Sequence, residues 1–324
     1  MIYCADNLDV MRNLPSESID LIYIDPPFFS NRKYETIWGD KNDTASFNDR
    51  WKGGINHYSE WMRPRLEQIH RLLKPSGALF CHLDWHAVHY IKVLLDEIFD
   101  SSNFRNEIVW QRTPFSGSSK SKAHKVPAIH DTILYYAKTK KHDKKFNCPT
   151  LGYTDEYLKR FKHKDKRGYY RKSLLKTYSK ETFERLKKED RLVEPVKKGA
   201  NYSYKQYLHE SSGKRQIGDV WTDINMLNPA SKERVGYPTQ KPEELLRRVI
   251  EMATKKGDIV ADFFCGCGTT LVAAHNLNRD YIGVDNSPMA SKIIRKRLKG
   301  IGIDVPELAV KTLTKSQNNE AQAI

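Results

Sequence analysis

A glycine-rich turn between two regular segments most constrains how this chain can fold. The turn reads Asp262-Phe263-Phe264-Cys265-Gly266-Cys267-Gly268-Thr269-Thr270. The apolar run before it predicts a buried strand, and the residues after it predict a helix that begins at Thr269. A second apolar run ends at Asp285, seventeen residues after Gly268. This alternation of strand, helix and strand predicts a parallel sheet with right-handed crossovers.

The residues of this turn also limit the ligand that it can bind. Gly266 and Gly268 allow the backbone to turn sharply and to approach a ligand closely. A carboxylate at the end of the second strand, here Asp285, can accept hydrogen bonds from both hydroxyls of a ribose. The third glycine of the dinucleotide fingerprint is absent, which argues against a dehydrogenase, and no Gly-Lys-Ser/Thr of a phosphate loop follows. An adenosine-type ligand without a pyrophosphate group fits this pattern best.

A second candidate site lies near the start of the chain, where the apolar run of residues 20–24 ends in Asp25-Pro26-Pro27-Phe28. Open α/β sheets bind ligands beyond the carboxyl ends of their strands. The two prolines stiffen the loop, so the Asp25 carboxylate and the Pro26 carbonyl can converge on the two N–H groups of an exocyclic amine. Such hydrogen bonds would position a weakly nucleophilic nitrogen for in-line attack on a sulfonium methyl group. Phe28 is expected to stack on a base that has left the duplex.

Together the two motifs resemble those of the β group of amino-methylating DNA methyltransferases, which includes type II enzymes and the modification subunits of type III restriction-modification systems. The order of the motifs also resembles the order in that group, in which the catalytic motif precedes a target-recognition region and the glycine-rich turn comes last. The resemblance covers most of residues 1–111 and 217–298. Further segments that match are Asp6-Asn7, His82-Leu83-Asp84-Trp85, Asn106-Glu107-Ile108-Val109-Trp110 and Tyr237-Pro238-Thr239-Gln240-Lys241-Pro242.

The resemblance implies S-adenosyl-L-methionine as the cofactor and no metal. The residues that it assigns to the cofactor site are Asp6, Lys241, Asp262, Phe263, Gly266, Gly268, Thr269, Thr270 and Asp285, and the catalytic residues are Asp25, Pro26, Pro27 and Phe28. Asp6 would read the adenine of the cofactor, Lys241 would contact its methionine carboxylate, and Asp285 would hold its ribose. His82 and Asp84 are expected to lie in the core or behind the site and to take no part in the chemistry.

The first residue of the catalytic motif bears on the target base. In the family that this sequence resembles, a motif that begins with Asp usually methylates N6 of adenine and one that begins with Ser usually methylates N4 of cytosine. Asp25 therefore favours adenine in duplex DNA as the target. N4-cytosine methylation stays as the alternative. An RNA amino-methyltransferase is a weaker alternative, since its motif would normally follow the glycine-rich turn. Methylation of cytosine at C5 would need a Cys nucleophile, and the Pro-Cys pair that carries it in that family is absent from this sequence.

The charge of the chain is concentrated in one segment, which suggests how the domain is divided. Residues 112–215 contain 28 Lys and Arg against 11 Asp and Glu, a net charge of +17, although the whole chain carries only +15. Aromatic residues are interleaved with these cations, as in surfaces that bind nucleic acid. We expect this segment to be a small, partly helical target-recognition insert.

The remaining segments are expected to form one methyltransferase domain of the α/β class. Its sheet should be mostly parallel and doubly wound, with seven strands and a circularly permuted order of motifs. Residues 1–111 would carry the catalytic motif, residues 216–313 would carry the cofactor motif, and residues 314–324 would form a flexible tail.

Further features of the sequence concern location and partners. No run of about 18 apolar residues occurs, so we expect no membrane span. The first residues lack the basic and apolar regions of a signal peptide, and the five cysteines form no Cys-x-x-Cys pair, which suits free thiols in a reducing compartment. We expect a cytoplasmic protein that acts on double-stranded DNA. The resemblance leaves open a homodimer and a separately encoded restriction endonuclease.

Overall fold

The computed structural model describes residues 1–29, 51, 53–114, 124, 126–195, 197 and 199–303, and the backbone of three further strands at 33–38, 43–48 and 310–311. The chain divides into two compact units. The larger unit comprises Met1–Asn147 and Gly218–Ile324, and the smaller unit comprises Cys148–Ile217. Strands and helices are numbered below in chain order.

A large mixed sheet forms the centre of the larger unit. Among the residues that the structure describes, its strands are β1 Ile2–Cys4, β2 Ile19–Ile24, β5 Leu73–Leu83, β6 Phe104–Gln111, β7 His130–Ala137, β14 Val220–Trp221, β15 Ile259–Asp262, β16 Asp280–Asp285 and β17 Val310–Lys311. They lie in the order β14-β6-β7-β5-β2-β15-β16-β1-β17. Neighbouring strands are parallel except at β7, which is antiparallel to β5 and β6. The predicted seven strands are therefore present, and the two-residue strands β14 and β17 extend them at the edges.

Helices cover this sheet. In the described part of the larger unit they are α1 Asn7–Arg12, α2 Gly54–Leu72, α3 Val88–Phe99, α6 Glu243–Ala253, α7 Thr269–Asn276 and α8 Pro288–Gly300. Every residue of β2 is buried, and because side chains alternate between the two faces of a strand, the sheet must be covered on both faces. The doubly wound α/β fold that the sequence predicts is thus confirmed. A separate antiparallel hairpin consists of β3 Lys33–Trp38 and β4 Asp43–Asn48.

Strand β5 contains a bulge at Pro75-Ser76-Gly77, a sequence that predicts a turn before the strand. Leu73 pairs with Ile19 and Ala78 pairs with Leu21, so residues 74–77 have no regular partners on β2. A Cβ atom on Gly77 would lie 3.0 Å from the carbonyl oxygens of Ile19 and Asp20, which explains why the bulge requires glycine.

A buried cluster of charges lies beside this bulge. The Asp20 carboxylate, only 2% exposed, accepts hydrogen bonds from Lys145 Nζ at 2.6 Å and Lys74 Nζ at 2.7 Å. The Ile259 amide donates to the same carboxylate at 3.0 Å, and Lys145 also contacts Asp258. Burial alone would raise the pKa of Asp20, but the hydrogen bonds from the two lysines hold it below its ordinary value. One carboxylate therefore ties together segments that are far apart in the chain.

The smaller unit is built mainly from short strands. Its described elements are β8 Thr150–Gly152, α4 Asp155–Leu158, β9 His163–Asp165, β10 Gly168–Leu174, α5 Lys180–Lys188, β11 Leu192–Val193, β12 Ser203–Tyr207 and β13 Lys214–Gln216. Four strands form an antiparallel sheet in the order β11-β12-β10-β9. The first and last strands, β8 and β13, pair with each other at the point where the chain enters and leaves the unit, and the Ile217 amide donates to the Pro149 carbonyl at 2.9 Å.

The structure sets the start of the compact insert later than the charge pattern predicts. Residues 112–215 were expected to form one partly helical module, but His130–Ala137 is an interior strand of the large sheet and the separate unit begins at Cys148. Basic residues on both sides of this strand dominate the average charge of the segment, so the charge pattern does not mark where the insert begins. The sequences of residues 106–110 and 132–137 predict two strands that form an antiparallel pair. This pairing is present, with Ile108 opposite Ile133. The expected tail at 314–324 lies outside the described residues.

Candidate active site

The carboxyl ends of four adjacent parallel strands bring the predicted site residues to one edge of the sheet. Strand β15 pairs with β2, placing Asp262 opposite Tyr23, and β16 pairs with β1, placing Asp285 opposite Cys4. The loop that begins at Asp25 therefore lies beside the glycine-rich turn, although the two are more than 200 residues apart in the chain. The predicted reaction requires that these two segments lie side by side.

A cavity of about 620 Å³ opens at this edge, a size typical of small-molecule sites. The predicted residues that line it are Asp6, Asp25, Pro26, Pro27, Phe28, Lys241, Asp262, Phe263, Gly266, Thr269, Thr270 and Asp285. Gly268 is not among the lining residues. It has φ +76° at the start of α7, and a Cβ atom there would lie 2.8 Å from Cγ1 of Ile294. Gly268 therefore allows the turn to pack against α8.

The two carboxylate oxygens of Asp25 have different surroundings. Lys241 Nζ donates a hydrogen bond to Oδ2, whereas Oδ1 is buried and has no hydrogen-bond partner among the described residues. A buried acceptor without a partner is costly unless a ligand supplies a donor. Lys241 also lies 5.1 Å from the centre of the Phe28 ring, and the Tyr58 hydroxyl donates to the Pro27 carbonyl at 2.7 Å. The loop thus holds one carboxylate oxygen ready for an N–H donor.

Asp285 shapes the glycine-rich turn from the neighbouring strand. Its Oδ2 accepts a hydrogen bond from the Gly266 amide and its Oδ1 accepts one from the Ser287 amide, both at 2.9 Å. Gly266 has φ +49°, and a Cβ atom on it would lie 3.1 Å from Cε1 of Tyr237. Burial raises the pKa of Asp285, and the two amide hydrogen bonds oppose that rise.

Asp262 is the most deeply buried acid of the cavity, with a relative exposure of 2%. Burial raises its pKa to about 7, although hydrogen bonds from Thr270 Oγ1 at 2.5 Å and from the Phe264 amide at 3.0 Å oppose the shift. The negative charges of Asp25 and Asp285 raise the pKa further. Asp262 therefore changes its charge near neutral pH.

Asp6 has a structural role in addition to its place in the cavity wall. It caps the start of α1 by accepting a hydrogen bond from the Leu8 amide at 2.8 Å, and it pairs with Arg65 at 3.1 Å. Arg65 is 5% exposed and lies 3.9 Å from the centre of the Trp61 ring.

Arg65 also connects Asp6 to the glycine-rich turn. It donates a hydrogen bond to Asn7, whose side-chain amide donates to the Phe263 carbonyl. The predicted contact of Asp6 with an adenine remains a prediction.

Sequence reasoning missed an aromatic wall of the cavity. Trp61 packs 5.0 Å from Trp51 and 5.9 Å from Phe264, measured between ring centres, and all three line the cavity. The spacing of apolar residues in the segment 58–73 predicts a helix with Trp61 on its apolar face, but local periodicity does not distinguish a core residue from a cavity residue. Tyr237 could have been found, since it begins the segment that also contains Lys241. Within the described residues, no group of three or more His, Cys, Asp or Glu side chains is arranged to hold a metal ion.

Comparison with known proteins identifies sequence relatives over most of the chain. A model of the N6/N4 DNA methylase family matches residues 19–296. The type II methyltransferase M.BglII of Bacillus subtilis is 28% identical over 296 residues, which cover 88% of this chain and 64% of that protein. M2.DpnII of Streptococcus pneumoniae is 27% identical over 304 residues, which cover 91% of this chain and 88% of that protein. The StyLTI Mod subunit of Salmonella typhimurium, a type III restriction-modification enzyme, is 26% identical over 85% of this chain, which spans half of that protein.

Solved structures share the fold. A DNA modification methylase from Thermus thermophilus, complexed with S-adenosyl-L-methionine, aligns with a TM-score of 0.52 and 19% identity, covering 97% of this chain and 98% of that one. The cytosine-N4-specific PvuII DNA methyltransferase aligns with a TM-score of 0.53 and 17% identity, covering 91% and 85% of the two chains. At these identities the likeness concerns the fold.

Proposed function

Because this chain belongs to the N6/N4 DNA methylase family, we propose that it transfers the methyl group of S-adenosyl-L-methionine to N6 of adenine in duplex DNA. The observation that carries the proposal is the shared cavity, in which the buried Oδ1 of Asp25 has no partner among the described residues and the glycine-rich turn lies alongside. An amino group is the kind of donor that such an oxygen requires.

The cavity suits the cofactor in size and charge. Asp262 and Asp285 line it and complement a ligand that carries a sulfonium and an ammonium group. Asp285 is placed to accept hydrogen bonds from a ribose, while Trp61 and Phe264 offer apolar surface. When bound, S-adenosyl-L-methionine supplies an electrophilic methyl group.

The protein's own contribution to the reaction is to hold the nucleophile. Asp25 Oδ1 and the Pro26 carbonyl each accept one N–H of the adenine amino group, and Phe28 stacks on the extruded base. These contacts direct the nitrogen lone pair towards the neighbouring glycine-rich turn, so that much of the rate comes from positioning. The nitrogen gains the methyl group and gives up one proton, for which the Asp25 carboxylate is an adjacent acceptor.

The smaller unit is the proposed reader of the DNA sequence. Residues 148–217 contain 19 Lys and Arg against 9 Asp and Glu, a net charge of +10, and such a surface attracts the phosphate backbone. Part of the interleaved aromatic pattern serves the unit's own packing, since Arg171 lies 5.1 Å from the ring of Tyr157 and Arg191 lies 5.4 Å from that of Tyr207. Tyr169 is 53% exposed and remains accessible for stacking on a base.

The relatives support a proposal about the biological setting. The StyLTI and HindVI Mod subunits are parts of restriction-modification enzymes, and on that basis this chain would protect DNA against an endonuclease encoded separately and would act in the cytoplasm. A homodimer stays a prediction. No helix of the described residues has the length and apolar character needed to span a bilayer.

A transfer assay with tritiated S-adenosyl-L-methionine tests the proposed function. Duplex DNA, RNA and a protein mixture are offered separately, and DNA from an expressing host is sequenced with detection of modified bases. Label is expected on duplex DNA as N6-methyladenine at one sequence. N4-methylcytosine instead would establish the alternative target, and label on RNA or protein alone would refute the proposal.

The raised pKa of Asp262 predicts how cofactor affinity depends on pH. In the empty cavity Asp262 is ionised above about pH 7, and a cationic ligand favours the ionised form. Binding therefore releases a proton below pH 7, and the affinity for S-adenosyl-L-methionine should rise about tenfold between pH 6 and pH 8, as linkage requires. Isothermal titration calorimetry in buffers of different ionisation enthalpy measures both the affinity and the released proton.

Two controls isolate the contribution of Asp262 to this pH dependence. S-adenosyl-L-homocysteine lacks the sulfonium charge, so its affinity should change less over the same range. The Asp262→Asn variant keeps the size of the side chain but cannot titrate, and the difference between the two ligands should largely disappear. An equal pH dependence in the variant and the wild type would assign the proton to another group.

A further inference from the structure

A buried histidine lies directly behind the proposed catalytic loop. His82 is the second-to-last residue of β5 and its side chain is completely buried. An imidazole in such a place requires hydrogen bonds to both of its ring nitrogens. Tyr23 Oη lies 2.7 Å from Nδ1, and Asp131 Oδ2 lies 3.2 Å from Nε2. The imidazole is thus held at two points, by Tyr23 on β2 and by Asp131 on β7.

The direction of these two hydrogen bonds follows from the neighbouring groups. Burial alone would raise the pKa of Asp131, but the hydrogen bond to His82 and the charges of Lys241 and Arg112 hold it below its ordinary value. Asp131 is therefore an acceptor, and the proton of the ring lies on Nε2. Burial and the nearby carboxylates raise the pKa of Tyr23, so its hydroxyl keeps its proton while it bonds Nδ1. Every polar atom of the ring has one defined partner.

The face of this fixed ring supports Phe28. The ring centres of His82 and Phe28 are 5.8 Å apart and their planes differ by 27°. Trp110 packs edge-on against the imidazole at 5.6 Å, which limits its movement further. Phe28 lines the cavity beside Asp25, and the imidazole that stacks on its ring does not itself line the cavity.

From these contacts we propose that His82 is a positioning residue, which holds Phe28 in the orientation needed to stack on the extruded base. Tyr23 and Asp131 fix the imidazole, and the imidazole fixes Phe28. The proposal rests on the proposed DNA methylation, because it gives a role to the base-stacking ring. It also makes a claim about the conformation of Phe28 that holds without any DNA.

The chain offers a matched control for His82. His142 is also completely buried, and its ring also bonds a tyrosine hydroxyl, that of Tyr135 at 2.5 Å, and the Ser76 carbonyl at 3.0 Å. It does not line the cavity. The variants His82→Leu and His142→Leu therefore remove equivalent structural interactions, but only the first removes the support of Phe28.

Two measurements on these variants test the proposal. With 4-fluorophenylalanine incorporated and the Phe28 signal assigned through Phe28→Leu, the ¹⁹F resonance of Phe28 should move in His82→Leu and stay in place in His142→Leu. With duplex DNA containing the mapped site, the single-turnover rate at saturating DNA should fall about tenfold in His82→Leu only, a loss on the scale of one weakened base stack. The dissociation constant for the cofactor should stay within about twofold in both variants.

The outcomes separate this proposal from the proposed function. Equal Phe28 resonances and equal transfer rates in His82→Leu and His142→Leu would overturn the role of His82. If the wild-type protein modifies no DNA while the Phe28 resonance still moves in His82→Leu, the methylation proposal fails and the support of Phe28 stands. Asp131→Asn removes the carboxylate without emptying the core, and it should produce the same changes more weakly even where His82→Leu does not fold.

Discussion

Replacing Asp25 with alanine should lower the rate of methyl transfer on the order of 10³-fold, while the affinity for S-adenosyl-L-methionine stays within about threefold. The carboxylate is the one acidic group of the Asp-Pro-Pro-Phe loop, and its buried Oδ1 has no partner among the described residues. Without it, the amino group of the target base would lose one of its two acceptors and its fixed orientation. Single-turnover kinetics measure the loss of rate, and equilibrium dialysis measures the affinity for the cofactor.

Two further variants test whether the loss of rate comes from the Asp25 carboxylate itself. Asp25→Asn keeps an oxygen acceptor but loses the charge that pairs with Lys241, so a smaller loss of rate is expected. Asp84→Ala removes a carboxylate that follows the neighbouring strand β5, and this residue does not line the cavity. It should leave the rate within about threefold of the wild type. A rate for Asp25→Ala that matches Asp84→Ala would remove the chemical basis of the proposed mechanism.

Replacing Asp20 with alanine should destabilise the larger unit by about 2–3 kcal/mol, because two partly buried lysines and a backbone amide lose a charged acceptor. Lys74 Nζ and the Ile259 amide would each lose an acceptor, and Lys145 would retain only Asp258. The pKa of Asp20 is lowered in the folded protein. The stability that it contributes is therefore present above about pH 4 and is lost as the pH falls through the lowered value, so the variant and the wild type should converge in acid.

Denaturation followed by tryptophan fluorescence measures this effect in the larger unit alone, because all six tryptophans of the chain lie outside residues 148–217. Glu97→Ala is the control. Glu97 pairs with Arg63 at 2.6 Å, the same distance as Asp20 with Lys145, but both side chains of the Glu97 pair are about half exposed. That surface pair should be worth less than about 1 kcal/mol. Equal losses in the two variants would show that burial of the Asp20 cluster contributes nothing.

Much of the site could be predicted from the sequence because strands and turns are encoded locally. The apolar run before Asp25 and the one before Gly266 each identify a buried strand, and parallel strands place the loops that follow them at one edge. The sequence alone does not state that β2 and β15 are neighbours. That adjacency was expected from the family resemblance, and the observed pairing of Tyr23 with Asp262 agrees with it.

Features that depend on long-range packing could not be predicted. The Asp20 cluster joins residues that are up to 239 positions apart, and nothing near Asp20 indicates that Lys145 would reach it. The bulge in β5 was interpreted as a turn, because Pro75-Ser76-Gly77 is a common turn sequence. The strand His130–Ala137 belongs to the large sheet, so the insert begins later than residue 112, and charge averaged over residues 112–215 does not reveal this boundary.

The neck of the smaller unit has a consequence for how such proteins diversify. Strands β8 and β13 run side by side where the chain enters and leaves residues 148–217, so the two ends of the unit are only one strand spacing apart, about 5 Å. A module whose two ends are adjacent can be replaced by another of different length without disturbing the order of strands in the main sheet. If the smaller unit reads the DNA sequence as proposed, lineages can therefore exchange the recognised sequence while they inherit the catalytic unit unchanged.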